Sequence, residues 1–201
     1  MHGDRTHDDH THNEKSGLRT RLLTERRALT AEERTAAADR LAGHAGELAG
    51  AGATVAAYVS VGAEPGTRPL LEALRARGAR VLLPVLLADN DLDWAEYAGP
   101  GALAPAGRGL LEPVGPRLGP QAVTEAAVVL LPGLAVDRSG LRLGRGGGSY
   151  DRVLDRLARA GARPVLAVLL YEHELLERVP AEPHDRLVDV AVLPSGVREL
   201  G

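Results

Sequence analysis

The chain has 201 residues, of which 44% are hydrophobic, and a formal net charge of −3 at pH 7. That supplies core material for a single domain and argues against a general nucleic-acid binder. The absence of cysteine excludes disulfides, thiolate catalysis and Cys-based zinc sites.

Residues 1–13 hold four histidines and three aspartates and read as a disordered His-rich tail, able at most to ligate a metal loosely. A single domain is expected to follow over 14–201. Residues 14–29 place Leu18, Leu22 and Leu29 on one helical stripe. Lys15 and Arg19 are four residues apart and share a face. Of 24 basic residues only Lys15 is lysine, a hint that an ammonium is wanted there. Thr30 and Glu33 form a capping box that opens a second helix over 31–48, with Ala37, Leu41 and Leu48 inward.

Residues 54–59 are apolar and β-rich and predict a buried strand. Thr67 is placed to cap a helix over 68–77, Gly78 to end it, and 80–84 to form the next strand. Strand–helix–strand implies a parallel pair with a right-handed crossover, and ligands in such sheets gather beyond the carboxyl ends of strands. Glu64 lies at such an end. Residues 92–97 alternate and predict an edge strand carrying Trp94, the one tryptophan, with either a core or a ring-stacking role. Residues 99–120 are rich in Gly and Pro and predict a long functional loop.

An apolar run over 126–131 enters a Gly-rich stretch, and an amphipathic segment over 150–160 leaves it as a helix. Between them lie Gly144, Gly146, Gly147 and Gly148, with Arg142 and Arg145 interleaved. Glycines let backbone approach a ligand, amides at a helix N-terminus favour an anion, and arginines match phosphate bidentately. Ser149 is placed to cap the helix, and Asp151 in the first turn to hold Mg²⁺ beside a phosphate. The stretch is neither a Walker A loop, since it lacks lysine, nor a dinucleotide fingerprint, since Ser149 stands at the last glycine. Further strands are expected over 164–170 and 187–193. The longest apolar runs fall short of the ~20 residues needed to cross a bilayer. The polar N-terminus is no signal peptide, so a soluble, cytoplasmic protein without membrane or nucleic-acid partners is expected, as a monomer or weak dimer.

The run Arg-Leu-Gly-Arg-Gly-Gly-Gly-Ser-Tyr-Asp-Arg, residues 142–152, resembles the signature Arg-Leu-Gly-x-Gly-x-Gly-x-Tyr-Asp of the 5-formyltetrahydrofolate cyclo-ligases. Four shorter segments agree in order: Lys15-x-x-x-Arg19, Glu64-x-x-Thr67, Gly109-Leu-Leu-Glu112-Pro113 and His184-Asp185. Ser149 stands where an aromatic is common and Glu174 where the family has Gln. The resemblance implies an α/β three-layer sandwich, a mostly parallel central sheet flanked by helices, shared with sugar-phosphate isomerases and CoA transferases. It also implies ATP- and Mg²⁺-dependent conversion of 5-formyltetrahydrofolate to 5,10-methenyltetrahydrofolate, with small-molecule substrates only. On that reading Lys15 and Arg145 are catalytic. ATP is held by Lys15, Arg19, Arg142, Gly144, Arg145, Gly146, Gly147, Gly148, Ser149 and Tyr150. The folate meets Glu64, Tyr58, Trp94 and Tyr150, and Asp151 holds the metal. A non-catalytic folate- or nucleotide-binding relative is the alternative, and a sugar-phosphate isomerase or CoA-transferase-like protein a third reading.

Overall fold

The computed structural model describes residues 4–182 and 185–201. Five α-helices lie among them: α1 (Asp4–Ala28), α2 (Ala31–Gly43), α3 (Ala45–Leu48), α4 (Arg68–Ala76) and α5 (Ser149–Arg159). The strands are β1 (Thr54–Ala56), β2 (Arg80–Leu86), β3 (Leu92–Glu96), β4 (Leu103–Pro105), β5 (Leu111–Pro113), β6 (Val128–Pro132), β7 (Ala135–Asp137), β8 (Arg142–Leu143), β9 (Val165–Leu169), β10 (Leu175–Leu176), β11 (Val190–Leu193) and β12 (Gly196–Glu199). No helix among the described residues is long and apolar enough to cross a membrane.

The central sheet has seven strands in the order β12-β11-β9-β6-β1-β2-β3. The five inner strands run parallel, and the antiparallel β12 and β3 close the edges. From β1 the chain moves outward to β2 and β3, then returns to lay β6 on the other side of β1. The crevice beyond the ends of β1 and β6 is therefore the point where the winding reverses, the place where such sheets bind ligands.

Parallel strands buried on both faces need apolar residues in both phases. Val55, Val81, Leu83, Val128 and Leu130 face a layer built from Leu41 and Leu48 of α2 and α3 and Leu70, Leu71 and Leu74 of α4. Ala56, Leu82, Val129 and Leu131 face the other way, onto Val153, Leu154 and Leu157 of α5. The three layers match the architecture expected from the sequence. A third cluster joins Leu22 of α1 to Leu134, Leu141, Leu143 and Val179, docking α1 on the small sheet β10-β7-β8.

Several boundaries differ from expectation. Helix α1 starts at Asp4, ten residues before the sequence placed it, and so takes in most of the 1–13 segment. The second helix breaks at His44, whose amide bonds back to Leu41 O at 3.1 Å and tightens the turn. Strand β1 ends at Ala56 rather than 59: after the Ala57 amide reaches Leu82 O at 2.8 Å, the chain turns away, freeing Tyr58 and Val59 to line a cleft. Residues 99–120 do form a connection, but it folds a β4–β5 hairpin. The Thr30–Glu33 capping box is present on both sides. Thr67 occupies the N-cap position without capping; its hydroxyl accepts from the Ser60 amide at 2.9 Å while its own amide donates to Ser60 Oγ at 3.1 Å. That reciprocal pair staples the loop carrying Glu64.

Candidate functional site

A cleft of about 660 Å³ opens at the winding reversal, within the usual size of small-molecule sites. It is walled by α1, the loop after β1, the end of β6, the β4–β5 hairpin, the loop 144–148, and Glu182 and Asp185. Every residue that the sequence assigned to ATP, metal or folate lines it, except Trp94.

Trp94 is fully buried among Leu82, Leu92, Val129 and Leu131 in the layer facing α5. Its alternation on β3 turns it under the sheet, so it is a core residue and not a ring-stacking platform. Its indole nitrogen has no hydrogen-bond partner.

Helix α1 presents Lys15 and Arg19 on one face, one turn apart. The Arg19 Nε donates to the Gly144 carbonyl at 3.0 Å, which ties α1 to the glycine loop. Lys15 is 3% exposed. Its ammonium lies 2.5 Å from Glu182 and 2.7 Å from Asp185. The sequence expected a cation open to phosphate, whereas the structure shows one shared by two carboxylates. A buried ammonium needs such partners. His184 lies outside the described residues.

Helix α5 starts at Ser149 with Gly148 as N-cap, so Ser149 is inside the helix and does not cap it. Gly148 has φ +76 and Gly146 φ +87, a left-handed geometry that other residues rarely adopt. The N-cap has no side-chain hydrogen bond, so the first amides of α5 lack a side-chain partner where residues 148–151 line the cleft. Asp151 follows in the first turn with its side chain 67% exposed.

Arg142 is the strut of the loop. Its guanidinium donates to the Pro132 carbonyl at 3.0 Å and to Asp151 at 3.1 Å, joining the end of β6 to the first turn of α5. Burial lowers its pKa, partly offset by the Asp151 charge. Its Nε is buried without a partner. A methyl on Gly144 would sit 2.9 Å from Arg142 Nη1, so the guanidinium of the strut would have to shift.

Arg145 and Glu64, expected on different ligands, touch each other. The Arg145 guanidinium lies 3.2 Å from Glu64, with the arginine half exposed and the glutamate largely buried. The other Glu64 oxygen accepts from the Val61 amide at 2.8 Å, which fixes the carboxylate. An ion pair with one partner this exposed is worth about 1 kcal/mol or less, so a ligand can open it. Tyr58 and Tyr150 flank Glu64. Burial first, and then the Glu64 charge, push both phenols well up, so both stay neutral at physiological pH. Glu112 accepts from the Leu86 amide at 2.9 Å and anchors the hairpin over the end of β2.

The main feature missed in the sequence lies behind the cleft. Arg26 of α1 is 1% exposed and Glu174 fully buried. They pair through two contacts, at 2.6 and 2.9 Å, and Arg26 also donates to Gly133 O at 2.6 Å. Glu174 also accepts the Tyr171 amide at 2.9 Å, and the Tyr171 hydroxyl reaches Ala63 O beside Glu64 at 3.3 Å. The family departure at Glu174 is thus the carboxylate partner of a buried arginine. The signal was present in sequence as an unexplained Gln-to-Glu change, but nothing local named Arg26.

Among the described residues no group of three or more His, Asp or Glu is arranged to hold a metal alone. A divalent ion here would rest on Asp151 with substrate oxygens and water, the usual habit of Mg²⁺.

Comparison with known proteins agrees with the motif reading. The model of the 5-formyltetrahydrofolate cyclo-ligase family matches residues 11–194. A 5-formyltetrahydrofolate cyclo-ligase of Mycolicibacterium smegmatis is 48% identical over 188 residues, spanning 90% of this chain and 94% of that one. The Escherichia coli K12 protein of the same name is 33% identical over 148 residues, 73% of this chain and 80% of that one. The solved 5,10-methenyltetrahydrofolate synthetase of Aquifex aeolicus superposes with a TM-score of 0.76 at 29% identity, covering 92% of each chain. The Mycoplasma pneumoniae structure shares the fold, with a TM-score of 0.68 at 20% identity over 89% and 97% of the two chains. The chain belongs, as an enzyme, to the 5-formyltetrahydrofolate cyclo-ligase family.

Proposed function

We propose that the cleft takes ATP and 5-formyltetrahydrofolate together, with Mg²⁺, and releases 5,10-methenyltetrahydrofolate, ADP and phosphate. The observation that carries this is the convergence of Lys15, Arg19, Arg142 and Arg145 with the uncapped start of α5, beside the fixed carboxylate of Glu64. The first set suits a triphosphate; the second suits a ring edge rich in N–H donors.

The chemistry asks little of the protein beyond placement. A formamide oxygen is a poor leaving group. Phosphorylation of that oxygen, with the N5 lone pair moving toward carbon, converts it into a phosphate leaving group. N10 then attacks the same carbon, loses its proton, and phosphate departs with the C–O electrons. Catalysis therefore rests on orientation and on neutralising charge at the transferred phosphoryl group. Arg145, half exposed and loosely paired, is the cation most easily turned from Glu64 to phosphate. Lys15 acts from the other side once Glu182 or Asp185 gives way. Tyr58 and Tyr150 stay protonated and shape the floor.

The charge balance explains the need for a divalent ion. Five arginine or lysine side chains and five carboxylates line the cleft. A polyanion entering so balanced a site needs added positive charge. Asp151 and the phosphates would hold Mg²⁺, which supplies charge neutralisation across the transferred group. Glu174, which stands where the family has Gln, bonds to Arg26 behind the cleft and does not line it, so this departure leaves the reacting groups untouched. We place the protein in the cytoplasm.

The test is to mix purified protein with Mg-ATP and 5-formyltetrahydrofolate and follow methenyl absorbance with ADP release. Product that requires all three components supports the reading; folate binding without ADP production refutes it.

A further inference from the structure

Two non-glycine residues among those described adopt left-handed backbone, Asn90 at φ 65 and Arg108 at φ 60. Such strain is uncommon and tends to cluster where geometry serves function. Here the two strained residues meet: Arg108 Nη1 donates to Asn90 Oδ1 at 3.0 Å. Asn90 lies in the turn between β2 and β3, and Arg108 at the tip of the β4–β5 hairpin. A loop tip held by a neutral amide leaves the guanidinium charge uncompensated by that contact, and Arg108 is exposed at the cleft wall.

Its place in the sheet gives the direction. Helix α1, with Lys15 and Arg19, packs by Leu22 and Arg26 against residues after β6. Glu64 follows β1. Arg108 stands past β2 and β3, at the far side of the same cleft from α1. Pro84, Leu86, Leu92, Leu110 and Leu111 give the same cleft an apolar lining, with the Glu112 carboxylate taken up by the Leu86 amide. On the function proposed above, the folate has the same order of chemistry: a pterin ring, an aromatic aminobenzoyl ring and a glutamate with two carboxylates.

We propose that Arg108, aimed by Asn90, binds a carboxylate of the glutamate tail of the folate substrate. The left-handed pair holds the guanidinium at the mouth before substrate arrives, and the planar fork matches a carboxylate. The contact governs folate affinity and takes no part in phosphoryl transfer.

The test compares 5-formyltetrahydrofolate with 5-formyltetrahydropteroate, which lacks the glutamate. Arg108→Gly removes the guanidinium and suits φ 60, so the hairpin folds without new strain. The variant is expected to raise KM for the folate about fivefold, the order for one charge-assisted contact at an exposed site. kcat and KM for ATP stay unchanged, wild type and variant handle the pteroate alike, and Arg108→Lys recovers part of the loss. An equal loss on both substrates, a shift in KM for ATP, or an unchanged folate KM would overturn the assignment. Calorimetry of both compounds without nucleotide separates this from the function itself. Tail-dependent binding that needs Arg108, in a protein that forms no product, would sink the reaction and keep the subsite. Product formation with tail-blind binding would do the reverse.

Discussion

Replacing Glu174 with alanine should be among the most damaging single changes in the chain. The carboxylate makes two contacts to Arg26 and accepts the Tyr171 amide, all in a site closed to water. Without it, the Arg26 guanidinium keeps only the Gly133 carbonyl and a face over the Tyr171 ring at 5.8 Å. Burial opposes its charge, and it is the hydrogen bond to and charge of Glu174 that raise the Arg26 pKa; without them burial alone acts, but the intrinsic pKa of a guanidinium is so high that it stays charged and unpaired. Breaking a buried pair from one side costs about 3–5 kcal/mol. For a chain of this length that is a fall in Tm of roughly 6–20 °C. Chemical denaturation of wild type, Glu174→Ala and the double variant Arg26→Met/Glu174→Leu measures it. The double variant should recover most of the loss, because apolar substitutes for a buried ion pair are often neutral or better. A cost below about 1 kcal/mol for Glu174→Ala would show that the buried-charge penalty invoked here is not operating. The variant should also lose activity out of proportion to its unfolded fraction, since Tyr171 braces the loop of Glu64.

Arg145→Ala should remove most turnover while shifting stability by less than about 1 kcal/mol, as its one ion pair is half exposed; full activity in a folded variant rejects its phosphate role. Asp137 accepts from the Ser139 amide and hydroxyl and from the Leu141 and Val179 amides. Burial opposes its charge, but these bonds, led by the Ser139 hydroxyl, leave its pKa lowered. Its stabilisation is therefore present above the ordinary carboxylate range near pH 4 and fades as acid titrates the folded group. Asp137→Asn should flatten that acid limb in pH-dependent melts, and an unchanged limb would refute the assignment. Gly140→Ala should cost several kcal/mol on the order of other strained-backbone changes, because Gly140 has φ +88 and an added Cβ would stand 2.4 Å from Val188 O; a melt within 1 °C of wild type would contradict it.

A parallel strand pair and the glycine loop with its own arginines were readable because each rests on local pattern, whereas the two helical layers and the meeting of Lys15 and Arg19 with that loop came through the family resemblance. Apolar strands, capping signals and a long motif all lie within a few residues of what they specify. Trp94 was ambiguous because ring stacking and core packing ask for the same residue, and only the side of β3 it faces decides. The shackling of Lys15 and the Arg26–Glu174 pair were illegible because their partners lie 148 to 170 residues away in sequence. Strand β1 was drawn too long because residues that line a cleft and residues that fill a sheet are equally apolar in Tyr58 and Val59. The small sheet under α1 was missed because strands of two or three residues carry too few alternations to register.

The first helix depends on the end of the chain. Lys15 finds its acceptors at positions 182 and 185, and Arg26 finds its own at 174. During synthesis α1 emerges well before residues 174, 182 and 185, so two cations destined for burial stay in water until those acceptors have followed. The inner sheet can assemble in the meantime from β1, β2 and β6, yet the α1 side of the cleft stays unfinished. A finished cleft in this architecture thus waits for the segment that carries those carboxylates.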